Sequence, residues 1–160
     1  MRHLAIALAV LLLDRITKWL VIRNIALEDS ISIIPGVFRL THLENPGAAF
    51  SIFAESASPY RTALLVGVSL AALAVVALLL WTRRSSFSST TIALSLIAGG
   101  ALGNLWDRIS DGKVTDFLDF YINSHHWPPF NLADSAIVVG ALLLMLRMLA
   151  QEKPPKAAGR

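Results

Sequence analysis

Four long apolar stretches leave this chain little choice of fold. They run over about 4–22, 62–81, 90–106 and 132–149. The second, Thr62–Trp81, holds twenty residues without a charge. A bilayer core about 30 Å thick needs roughly 20 helical residues at 1.5 Å each. The second stretch meets that unaided, and the other three come close. Buried helices of a soluble protein are the alternative, but four of them would leave too little polar chain to cover them. Apolar residues make up 55% of the chain and mean hydropathy is +0.61, which agrees with membrane helices and excludes a disordered chain. The expectation is an all-α membrane protein of four transmembrane helices.

Met1-Arg2-His3 followed by Leu4–Leu13 has the charged and apolar regions of a secretory signal peptide. No small-residue cleavage site follows, and apolar residues continue past Asp14, Arg15 and Lys18 to Ile22. The sequence therefore predicts an uncleaved first membrane helix. Lysine and arginine placement sets the orientation. With both termini cytoplasmic, the short inner pieces hold Arg2, Arg83, Arg84, Arg147, Lys153, Lys156 and Arg160. The outer segments, about 23–61 and 107–130, carry eight of the eleven acids, and Glu152 is the only acid on the inner pieces. Residues 151–160 read as a cytoplasmic tail. A net charge of +3 is small for a nucleic-acid binder, and no such partner is expected.

The outer segments carry the remaining structure. Ile31 and Ile33 alternate with serines, Pro35-Gly36 marks a turn, and Val37–His42 alternates again. Asn45-Pro46-Gly47 is a second turn, with Gly47 supplying its backbone freedom. These signals predict a small extracytoplasmic β-sheet over about 29–55, lying on the membrane surface. Trp106, Trp127 and Phe130 suit the membrane–water boundary.

Charges inside a bilayer point to sites. One mid-membrane charge costs about 2.5–3.5 kcal/mol, against about 0.3–0.6 regained per Leu or Ile. Asp14 and Lys18 are spaced i, i+4 and can neutralise each other on one helix face. The sequence Asn-Leu-x-Asp occurs twice, as Asn104–Asp107 and Asn131–Asp134. At i, i+3 each Asn lies beside its Asp, at the end of the third helix and the start of the fourth. Asn131 also suits a helix N-cap. Gly99 and Gly103, with Gly100 between them, allow a neighbouring helix to approach closely.

The inventory narrows the chemistry. There is no cysteine, no G-x-S-x-G, no H-E-x-x-H and no Gly-rich phosphate loop. The four histidines are expected outside the helical spans. Carboxylates are abundant at one depth, and two of them sharing a proton can activate water and protonate a leaving group. Spacing alone does not say which two pair. A channel lined by Asp14, Asp107, Asp116 and Asp134 is the rival class, but it needs polar groups across the whole span.

Five stretches, in order, resemble the lipoprotein signal peptidases (signal peptidase II) of bacteria. They are Asp14–Lys18, Asn45–Phe50, Gly99–Arg108, Val114–Phe117 and Phe130–Ser135. Thr115 stands where that family commonly has Val. The resemblance implies one membrane-embedded peptidase domain over 1–150 in the bacterial inner membrane. Its active site would lie near the extracytoplasmic face. It implies an aspartyl endopeptidase that removes the signal peptide just before the diacylglyceryl-modified cysteine of a prolipoprotein. It also implies no metal or cofactor, and a target for globomycin. The catalytic pair implied is Asp116 and Asp134. Supporting roles fall to Asp14, Lys18, Asn45, Gly47, Asn104, Asp107, Arg108 and Asn131. The expected partners are the prolipoprotein and membrane lipid, and the chain is expected to act as a monomer. Within that reading Asp134, in the first turn of the fourth helix, is the more acidic partner. Asp116, on less regular chain, holds the proton. Arg108 is expected to pair with Asp107 or a lipid phosphate, and Asp111 and Asp119 are expected to be solvated.

Overall fold

The computed structural model describes residues 2–47, 59–83 and 87–151. The motif residues Ala48–Phe50, the end of the expected β region, Arg84 and the tail beyond 151 lie outside the described residues. Four helices and four strands follow in the order α1 (Arg2–Asn24), β1 (Ser30–Ile34), β2 (Phe38–Asn45), α2 (Pro59–Thr82), α3 (Ser89–Ser110), β3 (Val114–Ile122), β4 (His125–His126) and α4 (Leu132–Gln151). His3 lies in α1, not outside the helices as the apolar pattern suggested.

Helix α3 packs against each of the other three helices. Small residues set how near they come. A Cβ on Gly100 would stand 2.3 Å from the Ala133 carbonyl oxygen of α4, and one on Gly99 would stand 2.6 Å from the Ala7 carbonyl oxygen of α1. Neither site admits any side chain, so the packing role expected for these glycines holds. Ala7, Val76, Leu94 and Ala98 form the apolar core between the helices.

The outside of the bundle is apolar. Leu4 is 69% exposed, and Leu64, Leu78, Leu146 and Met148 are all more than half exposed. Among the described residues the largest fully buried side chains are polar instead, led by Lys18, Asn131, Thr91 and Asp14. Water would penalise this distribution, whereas lipid favours it. Among the described residues two helices, Tyr60–Thr82 and Leu132–Ala150, are long and apolar enough to cross a membrane. Helices α1 and α3 have the length, at 23 and 22 residues. Asp14, Arg15 and Lys18 interrupt the apolar stretch of α1, and serines, threonines, glycines and Asn104 dilute that of α3.

The sheet is larger in origin than the sequence pattern predicts. Its antiparallel order is β1-β2-β3-β4, so the second outer segment supplies half of the strands. Gly36 makes the β1–β2 turn with φ +79°. A register shift between Leu40 and Leu43 adds a residue to β2 opposite β3, which bends the strand near its end. Val21 and Ile25 of α1 pack on Phe117 of β3, together with Leu40 and Leu132. Burying a Phe is worth about 1.5–3 kcal/mol, and here it clamps the sheet onto the rim of the bundle.

Candidate active site

The rim is built by backbone bonds between β3 and Phe130, two residues before α4. Phe130 accepts from the amides of Phe117 (3.0 Å) and Leu118 (2.8 Å) and donates to the Leu118 carbonyl (3.1 Å). These three bonds hold Asn131, and with it the start of α4, beside β3. Asn131 then caps the helix: its Oδ1 accepts from the Asp134 amide at 2.9 Å, and Asp134 Oδ2 accepts from the Asn131 amide at 3.2 Å. The reciprocal pair satisfies two donors of the helix start. The cap expected for Asn131 is therefore present.

Two carboxylates meet around that cap. Asp116 Oδ1 accepts from Asn131 Nδ2 at 2.8 Å, and its Oδ2 accepts from Asn45 Nδ2 at 2.9 Å. Asp134 Oδ1 accepts from Asn104 Nδ2 at 2.7 Å. Asn131 thus touches both aspartates, through its side chain and its backbone. Asp116 sits on a regular strand, not on the irregular chain that the sequence suggested. Burial pushes its carboxyl up to about 6. The hydrogen bond from Asn45 opposes this, the charge of Asp134 adds to it, and Asn131 and Lys18 oppose it further.

Gly47 holds Asn45 in place. Its amide donates to Asn45 Oδ1 at 2.8 Å, which turns Nδ2 toward Asp116. Its φ is +95°, and a Cβ there would stand 2.3 Å from Leu65 Cδ1 of α2. A β-branched residue in this conformation costs about 1–2 kcal/mol. Gly47→Val is expected to lower substrate processing several-fold while the protein accumulates near wild-type level. Immunoblotting of enzyme beside processed product measures both, and full-rate processing would contradict this role.

A second layer of charge lies beneath the pair. Lys18 and Asp14 are both wholly buried, and Lys18 Nζ is 2.8 Å from Asp14 Oδ2 and 2.7 Å from Asp107 Oδ2. Arg15 pairs with the other oxygen of Asp107. Two anions and two cations balance. Asp14 Oδ1 also accepts from the Ala133 amide at 3.0 Å, which ties α1 to the first turn of α4. Gly103 makes room, since a Cβ there would stand 2.5 Å from Asp14 Oδ2. The i, i+4 pair read from the sequence is thus part of a larger cluster.

Several expectations fail. Asn104 does not bond to its neighbour Asp107 but crosses to Asp134, and Asp107 is occupied by Lys18 and Arg15. Of the two partners expected for Arg108, Asp107 forms no ion pair with it, and Arg108 Nη1 donates to the Asn104 carbonyl at 3.2 Å, while a lipid phosphate stays an expectation. Asp119 is not solvated. It is 1% exposed and accepts from Arg39 Nε at 2.6 Å and from His126 Nδ1 at 2.9 Å. Burial raises its pKa, but the bonds and charges of His126 and Arg39 outweigh that and leave it lowered. Sequence reasoning missed this lock between β2, β3 and β4, because the only signal is a cross-strand pairing of Arg39 with Asp119. Asp111, in contrast, is exposed as expected. Among the described residues no cluster of three His, Cys, Asp or Glu can hold a metal ion.

Known proteins share this architecture. A solved bacterial membrane enzyme superposes with a TM-score of 0.80 at 28% identity, covering 97% of this chain and 94% of its own. The lipoprotein signal peptidase of Solibacter usitatus is 46% identical over 148 residues, covering 92% of this chain and 90% of the relative. That of Geobacter sulfurreducens is 46% identical over 149 residues, covering 93% and 92%. The family model for signal peptidase (SPase) II matches residues 6–150, which takes in every polar residue of the rim described above. The chain belongs to the signal peptidase II family.

Proposed function

We propose that this chain is an aspartyl endopeptidase of the bacterial inner membrane. It removes the signal peptide from diacylglyceryl-modified prolipoproteins, cutting just before the lipidated cysteine. All four helices cross the membrane, both termini are cytoplasmic, and the sheet rests on the outer face. The apolar exterior of α1 supports its crossing, because its mid-helix charges Asp14 and Lys18 pair with each other and are buried inside the bundle. The observation that carries the reading is Asn131 bonding at once to Asp116 and Asp134 at the bundle rim.

The mechanism follows from the two environments. Asp134 lies in the first turn of α4, where the helix N-terminus favours an anion, and it acts as the base toward water. Asp116 holds the shared proton and delivers it to the leaving amine. The water oxygen attacks the scissile carbonyl between them, and microscopic proton placement belongs to the pair. The diacylglyceryl group stays in lipid while the peptide reaches the rim.

Asn45 sets the pH range. Protonated Asp116 is the acid, so kcat/KM falls as pH rises through about 6. The Asn45 bond favours the ionised form, and its loss favours the proton. Asn45→Ala is therefore expected to move the descending limb to higher pH while lowering the maximum rate. A limb that stays in place or moves down would contradict this.

The function itself is tested with purified enzyme in liposomes. A diacylglyceryl-modified prolipoprotein is compared with the same chain carrying an unmodified cysteine. Mass spectrometry is expected to find a product beginning at the lipidated cysteine and no cleavage of the unmodified chain. Cleavage elsewhere, or none, would sink the proposal.

A further inference from the structure

We propose that Lys18 is a positioning residue for Asp134, acting through the side-chain amide of Asn104; this rests on the aspartyl reading above. An ammonium carries only donors, so the amide atom 3.1 Å from Lys18 Nζ is the Asn104 oxygen. The other end of that amide is then nitrogen, and it donates to Asp134 Oδ1 at 2.7 Å. A buried cation thus fixes which way the amide faces, a choice an asparagine otherwise leaves open. Asn131 Nδ2 also reaches Asn104 Oδ1, at 3.1 Å. That bond is a weak substitute, because two hydrogens are shared with Thr115 O at 3.3 Å and Asp116 Oδ1 at 2.8 Å. Lys18 is held for this task by Asp14 and Asp107, and it has no solvent exposure. With Asn104 reversed, an amide oxygen would face Asp134, and only a protonated Asp134 tolerates that. The base would then be disarmed without any loss of substrate contact.

Removing Lys18 alone leaves Asp14 without its cation, and the expected loss of stability would mask an effect on kcat. The informative variant is the charge-balanced pair Asp14→Asn with Lys18→Met, which keeps Arg15 on Asp107. In detergent-purified, folded enzyme its kcat is expected to fall roughly tenfold, the scale of one charge-assisted hydrogen bond, with KM within about twofold. Adding Asn104→Ala to that pair is expected to lower kcat no further than Asn104→Ala alone, since Lys18 acts through that amide. A purely structural role lowers the yield of folded enzyme and multiplies with Asn104→Ala. Wild-type kcat in the double variant, a multiplicative triple variant, or a double variant that does not fold would each overturn the proposal. Failure of the aspartyl reading is distinguishable, because Asp134→Asn would then cleave at the normal rate.

Discussion

Asp116→Asn and Asp134→Asn are each expected to lower the rate of prolipoprotein cleavage by about 10²–10⁴-fold, the range of a positioned acid or base. The two substitutions are nearly isosteric, but each sets an amide nitrogen against one N–H donor, so the folded yield is measured beside the rate. Asp116 accepts two amide donors and lies on a strand whose register is set by its backbone. Asp134 accepts from Asn104 on one oxygen and from the Asn131 amide on the other, and an asparagine keeps only one of these bonds. What asparagine cannot do is carry or take up the proton. The double variant is expected to be no slower than the worse single one, because the two residues act as a unit. Cleavage by either single variant at more than about a tenth of the wild-type rate would remove that residue from the chemistry.

Lys18→Met is expected to have the largest effect on stability, about 3–5 kcal/mol, because it leaves buried charge uncompensated. Asp14 and Asp107 are both buried, and Lys18 is the cation they share. Arg15 neutralises Asp107 but not Asp14. The loss should appear as a lower thermal midpoint in detergent and reduced accumulation in the membrane. Adding Asp14→Asn is expected to recover most of it, since replacing both partners of a buried pair is far less costly than removing one. Equal instability of the single and double variants would show that packing around the lysine stem, not charge, is what matters.

What the sequence reveals here depends on distance along the chain. The Asp14–Lys18 pair and the Asn131 cap were legible because each lies within one helical turn. The glycines at 99, 100 and 103 were legible as close-packing sites for the same reason. The partners that complete the site are remote: Lys18 meets Asn104 across 86 positions, and Arg39 meets Asp119 across 80. Local spacing therefore paired Asn104 with Asp107, whereas the fold pairs it with Asp134. Asp119 was expected in water because no strand was read in the second outer segment, and its burial exists only once β2 and β4 flank β3. Family resemblance supplied the pair Asp116 and Asp134, which no periodicity singles out from the other aspartates.

A proton shared between two carboxylates is directly visible in the infrared. Difference spectra of the purified enzyme, with and without Asp116→Asn, isolate the C=O stretch of a protonated Asp116. The account predicts a band present in the wild type below pH about 6, lost as pH rises through that value, and absent from the variant. A fully ionised Asp116 well below that pH, or a band that survives Asp116→Asn unchanged, would contradict it.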